Sequence, residues 1–439
     1  MPLLLDRPGP AAHAAVPTLA TQTVDLRDPR WLTQPRAMAR TLREQGRVHR
    51  DVQGLWLLNR HADCRAVMQS SHLSRDPRAS RAWPALRPFG AGSALEQAAE
   101  RFMLFNDAPT HTRLRRVVAA AFTPAAVRGL RERIARACDE LLAALPDTHD
   151  ATPFDFMPAF ARQLPIRVIC ELLGIEPGDL ERTRAWSDAT ACVVEPLASR
   201  ADRAAGAQAV AELSAFLREQ VARRRAGTRR VADPAPDVLA LMIDAQRADP
   251  RFDDDELLAN LILLFIAGHE TTTNLLGNGL LALLDHPHEM ARLRAQPALL
   301  PQAVEEMLRY ESPTNMVART TLEPFAVGDL EVPAGEVLYC MIGAAHFDPA
   351  VFAEPERFDI GRDPNPQLAF GGGVHYCVGA PLARLEGELA FAALLRRWPG
   401  LRRAGAEPGR DGAPAASAAP RWRPMINLRG LESLWVQAC

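Results

Sequence analysis

The stretch from Leu257 to Leu284 constrains this 439-residue chain more than any other. It is the longest apolar run, and at 1.5 Å per residue it makes a helix of about 40 Å, long enough to cross a whole domain. Asn260, His269, Glu270, Asn274 and Asn278 interrupt it, which suits a buried helix better than a membrane span. Asp253-Asp254-Asp255-Glu256 precedes it, with Asp253 and Glu256 at capping-box spacing. In its middle Ala267-Gly268-His269-Glu270-Thr271-Thr272 sets small residues beside an acid and an alcohol. Glycine weakens a helix interior and Thr271 can bond back to a carbonyl one turn earlier, so a local bend is expected there.

Helical periods dominate the remainder: Trp31 to Gln45, Ala108 to Phe122, Pro124 to Leu145, Phe156 to Leu173, Pro177 to Val194, Arg203 to Arg224, Pro236 to Arg247, Pro287 to Ala295, Leu299 to Tyr310 and Val378 to Arg397. Short strands are expected at Val48 to Leu58, Phe325 to Val332 and Glu336 to Met341. No Gly/Ser linker or charge block divides the chain, so the expectation is one large, mainly α domain with small peripheral β-sheets, residues 31–439, after an N-terminal extension, 1–30. Residues 403–420, rich in Ala, Gly and Pro, read as a flexible surface loop. A formal charge of −2 gives no global attraction to nucleic acid. All 51 basic residues are arginine. Seven scattered cysteines with no framework spacing point to reduced thiols and a cytoplasmic, soluble protein, and the N-terminus has neither signal nor anchor pattern.

Phe370-Gly371-Gly372-Gly373-Val374-His375-Tyr376-Cys377-Val378-Gly379 places one cysteine in a glycine-rich turn that opens a helix. Backbone N–H groups can close on its sulfur and the helix dipole points at it, both favouring a thiolate. Tetrahedral zinc would need more ligands than His375 and the distant Cys340 and His346 provide. A Cys/His nucleophile pair stays open, as does a single axial thiolate on haem iron, which needs no other protein ligand.

The six positions Phe370, Gly371, Gly373, His375, Cys377 and Gly379 resemble the haem-binding loop of the cytochrome P450 superfamily, and the resemblance extends from about Trp31 to Val436. It implies Cys377 as axial ligand of haem b (iron protoporphyrin IX), with Phe370 in the same loop and His375 as a propionate partner. It implies that Ala267 and Gly268 leave room for dioxygen while Glu270 and Thr271 manage its protons. It makes Glu306 and Arg309, three apart on one helical face, a buried structural pair completed by Arg357. His111 and Arg115, four apart on one helical side, and Arg319 become propionate partners. Trp83, Phe89, Leu264, Met316 and Val317 become pocket residues for a hydrophobic substrate.

The function so implied is a haem-thiolate monooxygenase that inserts one oxygen atom from O2 into a hydrophobic small molecule, as in hydroxylation of a biosynthetic intermediate. Epoxidation or oxidative coupling is the alternative on the same scaffold, and a haem-based gas sensor or carrier the alternative from another class. No flavin or nicotinamide fingerprint follows, so electrons are expected from an external ferredoxin and ferredoxin reductase with NAD(P)H, docking near Arg113, Arg116 and Arg384; no membrane or nucleic-acid partner is expected. Two departures stand out. Where the family often has Asn-Arg before Asp-Pro, this chain has His346-Phe347, and the 403–420 loop is longer than usual.

Overall fold

The computed structural model describes residues 19–20, 22–86, 89–147, 152–176, 180–227, 237–405 and 419–438. Seven helices position the site: α1 (Thr110–Ala119), α2 (Gln163–Leu173), α3 (Leu180–Thr190), α4 (Arg200–Arg225), α5 (Asp254–Asp285), α6 (Leu300–Tyr310) and α7 (Ala380–Arg397). Helix α5 is the axis of the molecule. It packs on α2, α4, α6 and α7, and Leu257 to Ile266 and Thr272 to Leu283 are buried without a break. An all-round apolar helix is stable only at the centre of such a bundle.

Asp253 caps α5, its carboxylate accepting from Glu256 N–H at 2.8 Å. The reciprocal half of the capping box is missing, because the Glu256 carboxylate instead binds Arg113 of α1 through two bonds of 2.7 and 2.6 Å. Thr271 makes the expected back-bond, Oγ1 to Ala267 O at 2.7 Å, but α5 runs as one helix through it.

Several expected helices are subdivided. Pro35 starts a new helix, splitting Trp31 to Gln45 into Arg30–Thr33 and Pro35–Gln45, since proline has no N–H to donate. Pro124 to Leu145 divides at Leu130.

Strands β1 (Val48–Arg50), β2 (Trp56–Leu58), β3 (Leu73–Ser74), β4 (Met316–Thr321) and β5 (Val337–Met341) form one sheet in the order β1-β2-β5-β4-β3. Val48 to Leu58 is thus a hairpin, and so is Phe325 to Val332. The β4 strand escaped the sequence reading; its register with β5, Val317 opposite Cys340, comes from a distant partner. Near the C-terminus Arg421–Trp422 pairs with Leu431–Ser433. The described end of the N-terminal extension belongs to the fold, since Val24 and Leu26 are buried in a core cluster with Trp31. Most of the 403–420 loop lies outside the described residues. Among the described residues no helix is long and apolar enough to cross a membrane.

Candidate active site

Cys377 precedes α7, which begins at Ala380 and not at Val378. A turn at Gly373–His375 leads into it, and Cys377 N–H donates to Phe370 O at 2.9 Å. Gly373 makes this path possible: its φ is +67°, and a Cβ there would stand 2.6 Å from Met68 O. The Phe370 ring lies under the Arg384 guanidinium, 4.5 Å from its centroid. Among the described cysteines, Cys377 is the accessible one. The surrounding protein raises its pKa by desolvation, and the amides of Gly379 and Ala380 with the Arg115 and Arg384 charges only partly offset that. The donors sit where the sequence places them, and a metal bond to the sulfur would favour the deprotonated form further.

On α5 the buried surface opens at Ala267, which is exposed, and at Gly268 and Thr271, which are half-buried. Gly268 has a second duty that the sequence did not disclose: a Cβ there would lie 2.6 Å from Ile169 Cδ1, so the glycine admits α2 against α5. Glu270 is 2% exposed. Its Oε2 accepts from Arg423 Nη1 at 2.5 Å and its Oε1 from Ser187 Oγ at 3.4 Å. Burial raises the carboxyl's pKa, but the charge and hydrogen bond of Arg423 together with His269 outweigh burial and keep it below the usual carboxylate value.

Cations gather beside the cysteine loop. The His111 and His375 rings are 4.1 Å apart, and His375 Nε2 lies 3.9 Å from Asp107 Oδ1. Burial and the neighbouring positive charges push His111 down to about 4, and burial lowers His375. Arg115 donates to Tyr376 O at 2.6 Å, tying α1 to the cysteine loop. Arg319, 4% exposed, and Arg75 both donate to Ala318 O, at 2.9 and 2.8 Å. Burial, then mutual repulsion, brings Arg75 down to about 9, and burial lowers Arg319 as well. Arg75 was not anticipated; no motif spacing marks it, and only the pairing of β3 with β4 brings it to Arg319. Two guanidiniums held by carbonyl oxygens, beside an accessible thiol and an accessible mid-helix surface, fit a flat iron porphyrin whose two carboxylates supply the missing charge.

Behind the loop, Glu306 and Arg309 are fully buried and joined bidentately at 2.7 and 2.8 Å. The expected third member is corrected. The Arg357 side chain is 55% exposed and pairs with Glu354, and only its carbonyl takes part, accepting from Arg309 Nη2 at 3.0 Å. Arg362 completes the cluster, its Nε 3.1 Å from Glu306 Oε2. His346 replaces the family's usual asparagine productively: its Nδ1 bonds Arg309 O at 2.9 Å, and its Nε2 accepts from Leu368 N–H at 2.7 Å.

Trp83 and Phe89 touch edge to face at 5.8 Å and pack with buried Leu264 in the main core, whereas Val317 and Met316 of β4 belong to two other clusters. A cleft of about 50 Å³ borders Met316 together with Arg36, Tyr310 and Arg429.

Comparison with known proteins agrees with this arrangement. Residues 85–399 match the family described as Cytochrome P450. The polyketide biosynthesis cytochrome P450 PksS of Bacillus subtilis is 36% identical, over 86% of this chain and 88% of its own length. The 6-deoxyerythronolide B hydroxylase of Saccharopolyspora erythraea is 35% identical, over 88% and 90%. The solved structure of P450BioI in complex with an acyl carrier protein ligated to hexadec-9Z-enoic acid superposes with a TM-score of 0.82 at 29% identity, covering 93% of this chain and all of that one. With its cysteine loop, its acid-alcohol pair on the central helix and its buried Glu306–Arg309–Arg362 cluster, the chain belongs to the cytochrome P450 family and is a haem-thiolate monooxygenase.

Proposed function

We propose that this monooxygenase hydroxylates an apolar intermediate of a biosynthetic pathway, using haem b held by Cys377 and by a set of propionate partners: His111, Arg115, Arg319, His375 and also Arg75. What carries the proposal is a single observation, an accessible cysteine in a loop of donors beside buried Arg319 and half-buried Arg75, which bond carbonyls. When bound, iron protoporphyrin IX supplies dioxygen binding and, with an axial thiolate, O–O cleavage. The chain's own groups do the rest. Phe370 covers the loop. Ala267 keeps the helix surface small at the groove, and Thr271 and Glu270 hold and pass protons there. A gas sensor or carrier has no need of a buried carboxylate held ready beside an alcohol, which favours the oxygenase.

Electrons come from an external ferredoxin and its NAD(P)H-dependent reductase. Val374, 72% exposed, and Tyr376 form an apolar spot on the cysteine-loop surface. Arg116 of α1 is exposed, whereas Arg113 and Arg384 are engaged with Glu256 and Glu305. Arg116 is therefore the better docking cation of the three. Free, mostly buried cysteines suit a cytoplasmic setting.

The reduced, carbon monoxide-bound protein is expected to give the red-shifted Soret band of thiolate ligation, and Cys377→His to abolish it. Persistence of that band in the variant removes Cys377 as ligand.

A further inference from the structure

Segments far apart in the sequence enclose the cleft of about 50 Å³ that borders Met316: Trp31, the helix Pro35–Gln45, the end of α6, the paired Met316 and Met341 of β4 and β5, and the C-terminal stretch at Ile426 and Arg429. The cleft is separate from the proposed haem site. Successive side chains of a strand point to opposite faces. Met316 enters the cluster that holds Trp31 and Met341, whereas Val317 enters another, and Arg319 shares the parity of Val317. The sheet therefore stands between the cleft and the arginines proposed to hold haem.

Charge and shape mark the cleft as a place for a ligand. Arg36 and Arg429 both bind one carboxylate, Glu311, Arg36 through Nη2 and Arg429 through Nε at 2.7 Å. The third guanidinium at the wall, Arg309, is already engaged by Glu306. The lining thus keeps a surplus positive charge. The Arg36 guanidinium lies over the Tyr310 ring, 3.9 Å from its centroid, and its Nε is buried with no hydrogen-bond partner. An unbonded buried donor on a charged group is costly, and a carboxylate oxygen is the acceptor that suits a guanidinium edge. Around this edge the wall is apolar: Trp31, Ala39, Met316, Met341 and Ile426 are all buried. Gly343 gives Asn315 its place at the wall, since a Cβ there would stand 2.6 Å from Asn315 Oδ1. We propose that this cleft is a second small-molecule site, for a short monocarboxylate whose anion meets Arg36 and whose alkyl end lies between Trp31 and the two methionines. The volume limits the ligand. A single water needs at least about 10–15 Å³ by the same measure, so the cleft takes about four such groups, the bulk of a three- or four-carbon acid.

The test uses the haem-loaded full chain with butyrate as the probe, read by saturation-transfer NMR and by the Soret band. Wild type should bind butyrate saturably with a Kd on the order of 1 mM, ordinary for a ligand of this size, and the Soret band should stay in place. Formate lacks three apolar carbons and should bind about ten- to fifty-fold more weakly. Uncharged butyramide should not compete. Arg36→Met removes the charge and keeps an apolar stem; Ala39→Leu fills the cleft from the residue three places along the same helix face. Each should weaken butyrate at least about tenfold while the carbon monoxide-bound Soret band stays as in wild type. The three probes on wild type decide the matter without any variant. If butyramide competes as well as butyrate, or formate binds equally, the charge or the apolar wall plays no part and the proposal is wrong. Butyrate that shifts the Soret band and binds both variants normally sits at the haem, which overturns it as well. So does the lack of saturable binding up to about 50 mM.

Discussion

Two arginine-rich regions of this protein invite comparison. In the cluster behind the cysteine loop, Arg309 and Arg362 converge on Glu306, and the remaining N–H groups meet the carbonyls of His346, Ala353, Pro355 and Arg357. In the cluster beside the loop, Arg75 and Arg319 face each other and bond carbonyl oxygens. Burial alone does not separate a structural arginine from one that waits for a ligand. Direct ion pairing does: Arg309 and Arg362 both reach the Glu306 carboxylate, whereas the Arg75 and Arg319 guanidiniums donate to carbonyls and feel Asp107 only at longer range, which leaves donors suited to an anionic ligand.

The comparison breaks first, and hardest, at Glu306. Glu306→Gln strands buried guanidiniums and should cost about 3–5 kcal/mol, seen as a lower urea midpoint and poor recovery of folded protein. Arg362→Ala should also be damaging, whereas Arg357→Ala, acting on an exposed side chain, should stay within about 0.5 kcal/mol. Equal damage from the two arginine variants would return Arg357 to the cluster.

The next effect has opposite signs in the two forms of the protein. Arg319→Gln relieves repulsion with Arg75, so the haem-free protein should be as stable as wild type or more so. The loaded protein should release haem to apomyoglobin about ten- to hundred-fold faster, the range expected for one charge-assisted bond. A variant that weakens the haem-free protein and keeps haem normally would make Arg319 another structural arginine.

The smallest effect concerns His346, whose ring nitrogens are both engaged, Nε2 as an acceptor from Leu368 N–H. Burial, and then Arg309, lower its pKa to about 3. An unfolded histidine binds a proton below about pH 6.5 and the folded one does not until about 3, so this group's contribution is lost as pH falls through that window. One such proton amounts to about 1.4 kcal/mol per pH unit. Between pH 7 and pH 5, His346→Asn should therefore lose less stability than wild type in urea titrations; an unchanged pH slope would mean that His346 is charged in the fold.

How much of this was legible in the sequence depends on how far apart the partners lie. Cys377, its glycines and the Glu270-Thr271 pair sit in short segments whose spacing carries their chemistry, and the central helix declares itself by apolar length and the Asp253 cap. Glu306 and Arg309 are one helical turn apart. Arg362 is not within such reach of Glu306; the resemblance points to Arg357, and the chain's path brings Arg362 to the carboxylate instead. Arg75 and Arg423 were illegible for the same reason: each meets its partner from a different element. The β4 strand needed β5, whose pairing no local propensity encodes.

Gly268 gives the molecule an unexpected form of adjustability. Because its missing side chain accommodates Ile169 of α2, the separation of two helices and the shape of the proposed oxygen groove share one degree of freedom. Adding a methyl group at 268 is a change to the neighbouring helix before it is a change to the groove, and a shorter residue at 169 is what would make it acceptable. Divergence at the reaction centre of this chain can thus begin one layer away, at a side chain that never touches the chemistry.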